Sequence, residues 1–217
     1  HCPATGLIVE LFVRLFTLVI YLSLLYELVG IPVPSIASTY QLFFTDDELN
    51  GDSLLLKVRR WPMGLKLIGL LLPTAAVVLV YLLPLLQALW PRLSGWLHGV
   101  GPAGSLVLIV PGCLLAALGR FVGLSAAWRL HHDDGLAANQ FDLQTRGLFA
   151  LSRNPILLGM YFTFVGLWLL YPSLEMGLGF LLFLANMHFR VLLEEDFLRW
   201  RFGRRYEQFL AATRRYL

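Results

Sequence analysis

The sequence predicts an all-α, polytopic membrane protein with about five transmembrane helices, a C-terminal helical hairpin and a cytoplasmic C-terminal helix. Composition is the first ground: of 217 residues 58% are hydrophobic and 14% charged, with a mean hydropathy of +0.69, beyond the range of soluble domains. Block length is the second. A helix needs about 20 mainly apolar residues to cross roughly 30 Å of hydrocarbon, and residues 7–29, 64–90, 104–130 and 155–193 are apolar blocks on that scale. The third is the placing of basic residues on alternate connections, as the positive-inside rule requires.

The first block is read as a retained span, since no polar flank with a cleavage site marks a signal peptide. It carries Glu10 and Arg14 at the four-residue spacing of a same-face ion pair near the membrane boundary. The connection at 30–63 holds an acidic group, Asp46, Asp47, Glu48 and Asp52, followed by a short basic amphipathic piece ending at Trp61. This is the pattern of an interfacial helix, and the acids lack the spacing of a calcium loop.

In the third block Gly119, Gly123 and Ala127 recur at four-residue intervals, a small-residue face that admits a neighbouring backbone or a ligand. Arg120 lies within the same run and must face protein, water or an anion; Glu10, Glu27 and a bound carboxylate are all open as partners. His131, His132, Asp133 and Asp134 follow. Adjacent residues seldom converge on one ion, so they read as a polar juxtamembrane loop with a general-base role open for one histidine. The two cysteines, Cys2 and Cys113, build no disulfide framework or metal cluster.

The last block is too long for one span, and Pro172-Ser173 divides it. Proline ends one helix and serine is a favoured N-cap for the next. Asn154-Pro155 at the front of the block is likewise a helix start, with Asn as N-cap and Pro in the first turn. With five spans, Lys57, Arg59, Arg60, Arg146, Arg153, Arg199, Arg201, Arg204, Arg205, Arg214 and Arg215 fall on one side and Arg92 on the other. The basic side, with the C-terminus, is therefore expected to be cytoplasmic. The net charge of +3 then reflects topology and anionic headgroups rather than nucleic acid.

The final helix turns polar before it ends. Asn186, Arg190 and Glu194 share one face at four-residue spacing, while His188 and Glu195, seven apart, share the opposite one. Ionisable groups at such depth are functional candidates.

Residues 143–217 resemble the C-terminal core of the membrane methyltransferases that include isoprenylcysteine carboxyl methyltransferase and the phospholipid (phosphatidylethanolamine) methyltransferases. Gly147, Arg153, Pro155 and Gly159 fall in register with that family's first motif, and Glu194, Glu195, Leu198, Phe202, Gly203 and Tyr206 with its second. The family's histidine is here Asn154, as in its phospholipid branch, its tyrosine is Leu157, and its Pro-Tyr-Arg is Leu148-Phe149-Ala150.

The resemblance implies a cofactor-binding core at 143–217 and a substrate-facing portion at 1–142. It implies S-adenosylmethionine bound among Arg153, Asn154, Pro155, Leu157, Gly159, Glu194 and Glu195, with Gly123 as a further lining residue. Arg153 and Arg190 are the candidates for the cofactor's carboxylate, and Glu194 and Glu195 for its ammonium or ribose hydroxyls; Arg190 and Asn154 are the candidate catalytic residues. The implied reaction is methyl transfer to a lipophilic acceptor drawn from the bilayer, with an isoprenylcysteine carboxylate, a phospholipid amine or a thiol open. A nicotinamide-dependent reductase of sterol type and a non-enzymatic lipid-binding protein of the same fold are the rival expectations.

Overall fold

The computed structural model describes residues 3–31, 53–92, 106–133 and 143–217. The helices are α1 (Pro3–Gly30), α2 (Leu54–Arg59), α3 (Met63–Leu89), α4 (Leu106–Asp133), α5 (Leu148–Leu151), α6 (Pro155–Leu170), α7 (Leu174–Phe202) and α8 (Arg204–Ala212). Four of them, α1, α3, α4 and α7, are long and apolar enough to cross a membrane. The fifth expected span, α6, has 16 residues and is about 24 Å long, short of the full hydrocarbon thickness. The acidic group at 46–52 and Asp134 lie outside the described residues.

Helix α6 reverses into α7 through Tyr171, Pro172 and Ser173. Ser173 caps α7 as its sequence suggests, its Oγ accepting from Met176 N at 3.2 Å. Yet the two arms of this hairpin take different main partners. Helix α6 runs antiparallel along α4, glycine against glycine: a Cβ on Gly159 would come within 2.5 Å of Gly123 N, and one on Gly119 within 2.5 Å of Gly159 O. Gly166 is pressed on Ala116, and Gly112 on Leu170, in the same way. The small-residue face of α4 therefore brings two backbones together.

Helix α7 instead packs along α3, where a Cβ on Gly179 would meet Leu79 Cβ at 2.9 Å. Large rings hold α6 and α7 apart. Phe164 and Phe183 meet edge to face at 5.0 Å, Tyr81 stands 4.1 Å from Phe164, and Tyr161 contacts Phe180 and Phe183. The core thus sits in a wedge between α6 and α7.

Helix α3 contains Pro73 and then a π turn at Val78–Leu82. A π turn disturbs the regular backbone ladder, and here the Tyr81 carbonyl accepts a hydrogen bond from the Tyr21 hydroxyl of α1. Deep between α1 and α4, Arg120 finds its partner among those open to it. It pairs with Glu27 at 2.6 Å and donates to Ser23 Oγ and Ser23 O at 2.8 and 3.0 Å. The expected Glu10 and Arg14 pair also forms.

At the C-terminal end of the bundle, α2 is docked on α7. Asp196 accepts from the Leu54 and Leu55 amides at 2.8 and 3.3 Å, and Trp61 stacks on Phe189 with centroids 6.0 Å apart. Gly203, at φ +51, takes the left-handed backbone that separates α7 from α8.

Candidate functional site

Helix α6 enters the bundle through a lip formed by residues 152–154. Just before it, Gly147 has φ +62 and lies so close to the Arg129 guanidinium that any side chain there would collide with it. The chain then forms the single turn α5 and runs extended into Ser152, which is buried.

The lip is covered by residues 213–217, a strap that follows α8. Arg153 N donates to Arg214 O at 2.9 Å, and Asn154 Nδ2 donates to Arg215 O at 3.1 Å. Ser152 Oγ donates to the same carbonyl at 3.4 Å and accepts from Asn154 N at 3.2 Å. Asn154 therefore corrects its expected role. It occupies the N-cap position, but its side chain makes no cap bond, because the amide is committed to the strap. Pro155 is buried at the first helical position, where its missing N–H costs nothing.

Under the strap lies Glu195, 3% exposed. A carboxylate removed from water at this depth must be neutralised and hydrogen-bonded. Arg215 does so in bidentate fashion, Nε to Oε1 at 2.9 Å and Nη2 to Oε2 at 2.8 Å, and Arg153 Nη1 adds a third contact at 3.0 Å to Oε1. Tyr206 of α8 is buried, within electrostatic reach of Glu195 and Arg153. Burial foremost, then the Glu195 charge, push its hydroxyl up to about 12 against the opposing pull of Arg153. Hydrogen bonding to Glu195 raises the Arg215 guanidinium above its ordinary range.

The remaining candidates fall into place around this cluster. Glu194 and Glu195 are adjacent in sequence but differently placed, Glu194 being exposed where Glu195 is buried. Arg190 is half-buried on the Glu194 face, while Asn186 spends its amide on Leu182 O at 2.9 Å. Gly123 and Gly159 face one another where α4 meets α6, directly below the lip. Leu157 is buried in the core that Tyr161 and Tyr216 pack against. His131 and His132 are exposed on the last turn of α4, and no group of three His, Cys, Asp or Glu able to hold a metal occurs among the described residues.

Residues 213–216 escape sequence reasoning. Arg214 and Arg215 register there only as positive charges beside the membrane, and Tyr216 carries no motif. The available signal was the unbalanced charge of a buried glutamate, which demands a cation from some other part of the chain.

Does the site suit a sulfonium cofactor with an ammonium and a carboxylate? Arg153 Nε is buried with no hydrogen-bond partner among the described residues, and a buried unpaired donor is costly unless an acceptor arrives. It suits a carboxylate. Glu194, accessible beside it in sequence to the buried clamp, suits a cation or hydroxyls.

The fold and this charged cluster define a helical membrane protein with a polar site at one end of its bundle. Residues 107–205 match the family model of the phospholipid methyltransferases, a segment reaching from α4 through Gly203 into α8. The match agrees with the motif resemblance and supports a membrane methyltransferase. No curated protein and no solved structure matches the chain.

Proposed function

We propose that this protein transfers the methyl group of S-adenosylmethionine to a lipophilic acceptor that enters from the bilayer. The observation that carries the reading is the buried Glu195 clamp with its spare Arg153 Nε–H, set within the segment that matches the methyltransferase family. Arg153, with Arg190, would hold the cofactor's carboxylate; Glu194 would hold its ammonium or ribose, and Glu195 would keep Arg153 in place. The cofactor supplies an electrophilic methyl group. The protein's part is to align the nucleophile, exclude water and remove a proton where there is one. The basic end of the bundle would face the cytoplasm, so that a soluble cofactor and a lipid acceptor reach one site by different routes.

Titration calorimetry of the detergent-purified protein with S-adenosylmethionine and with its demethylated product tests the reading. Binding is expected in the wild type, with a loss of at least about tenfold in Glu194→Gln and Glu195→Gln, the scale of one charge-assisted contact. No heat at millimolar ligand would sink it. Methyl-labelled cofactor incubated with a membrane lipid extract then identifies the acceptor.

A further inference from the structure

Helices α1 and α4 end on the same side of the bundle, tied by the Arg120–Glu27 pair. Just past that pair an open cleft of about 480 Å³ lies between the two helix ends. Ile31, 2% exposed, and Leu124 give it an apolar side, Tyr26 and Trp128 flank it, and Ser125 and Arg129 bring polar groups. His132 completes the lining. Its ring stacks on Trp128 with centroids 4.0 Å apart, and its Nδ1 donates to Trp128 O at 2.9 Å.

The cleft stands at the membrane boundary. Tyr26 is about 30 Å along α1 from Gly6, and Arg129 about 34 Å along α4 from Leu106, each a hydrocarbon thickness or more. Tyr26 and Trp128, both half-exposed, have the place of an interfacial aromatic belt. The body of α4 separates the cleft from the site described above. Gly119 and Gly123 face α6, whereas Ser125 and His132 lie roughly 180° around the helix from Gly123. The same outer face continues into the membrane as Phe121, Leu118 and Leu114, all exposed. An apolar track therefore leads up to a guanidinium.

The lining holds that guanidinium, a hydroxyl and no carboxylate. Such a set suits a phosphate, which the planar fork of an arginine grips with two donors. It does not suit the ammonium of a zwitterionic headgroup, which would meet no acid and a Trp128 face already covered by His132. We propose that the cleft binds one anionic phospholipid, at a site separate from that of methyl transfer. The lipid's phosphate rests on Arg129 and Ser125, and an acyl chain lies along Phe121, Leu118 and Leu114. The charge selects the headgroup, and the track selects a lipid over a soluble phosphate. Because the Arg129 guanidinium also lies against Gly147, the bound lipid braces the segment that leads into the lip.

Native mass spectrometry of the full chain in detergent tests the site, with phosphatidylglycerol or phosphatidylcholine of the same acyl chains titrated at one ionic strength. One retained phosphatidylglycerol per protein is expected, with an apparent affinity at least about tenfold above that for phosphatidylcholine. Arg129→Gln should lower it by about tenfold or more, and Arg60→Gln, an exposed arginine elsewhere on the basic end, by no more than about twofold. Since Arg129 also touches Gly147, Ser125→Phe gives a second check: it fills the cleft, leaves the guanidinium in place and should cost a similar factor. Equal retention of the two lipids, or an equal loss in Arg60→Gln, would mean diffuse attraction of headgroups and overturns the site. Displacement of the lipid by millimolar glycerol 3-phosphate would assign the cleft to a soluble phosphate compound, and loss of the lipid in Glu194→Gln would place it at the methyl-transfer site. Either result overturns the proposal, and the wild-type comparison decides it even where a variant fails to fold.

Discussion

A glutamate at the edge of a bilayer is tolerable only when cations come to it, and at Glu195 they come from both sides of the chain, Arg153 upstream and Arg215 downstream. The motif register made Arg153 and Glu195 legible, because each belongs to a local pattern. Arg215 was hidden because a count of basic residues treats every arginine beside the membrane alike. Asn154 stands at the N-cap as its sequence indicates, but the side-chain cap bond does not form, because a cap preference is a local rule and here the amide is held by a distant carbonyl. Tyr206 gives a pH test of the cluster. The unfolded chain releases its phenolic proton near pH 10.0 and the folded chain near 12. The folded state therefore keeps a proton across that window, and stability is full below pH 10.0 and declines as pH rises to about 12. The decline should be at most about 3 kcal/mol in thermal or denaturant melts, and Tyr206→Phe should remove that part of the pH dependence.

At the level of helices, length and composition located the four helices long enough to cross a membrane, α6 falls short of the expected fifth span, and Pro172-Ser173 marked the reversal. Partner choice was less readable. Helices adjacent in sequence with a short turn are expected to pack on each other, but α6 presents glycines to α4 and rings to α7, so its closest approach is to α4. The intervals of Gly119, Gly123 and Ala127 announced one half of that contact; the other half, Gly159 and Gly166, lay in a block whose glycines could face any neighbour. Gly159→Ala should therefore destabilise the protein by about 1–3 kcal/mol, since the added carbon meets backbone that cannot swing aside. Gly64→Ala, with nothing within 4 Å of the new carbon, should be neutral or slightly stabilising in the same melt.

The molecule as a whole sorts polarity by level. Apolar surfaces cover most of α1, α3, α4 and α7, while the lip, the clamp, α8 and the strap gather at one end. With Cys2 and Cys113 replaced, single cysteines at Arg60 and Arg205 should label from the same face of sealed vesicles, and one at Arg92 from the other. Labelling of all three from one face would contradict the alternating topology. The long apolar helices were legible because membrane thickness acts on composition alone. The site was legible only in its motif-bearing parts, since the rest depends on a strap that folds back over residues about sixty positions earlier.

That return has a consequence for biogenesis. Translation delivers Arg153 first, Glu195 next and Arg215 last, so the nascent protein has to insert its final span with the glutamate only half compensated. An insertion machinery that holds this helix at the aqueous boundary until the strap emerges would spare it that interval, and the order of synthesis makes Arg215 the last member of the charge cluster to arrive.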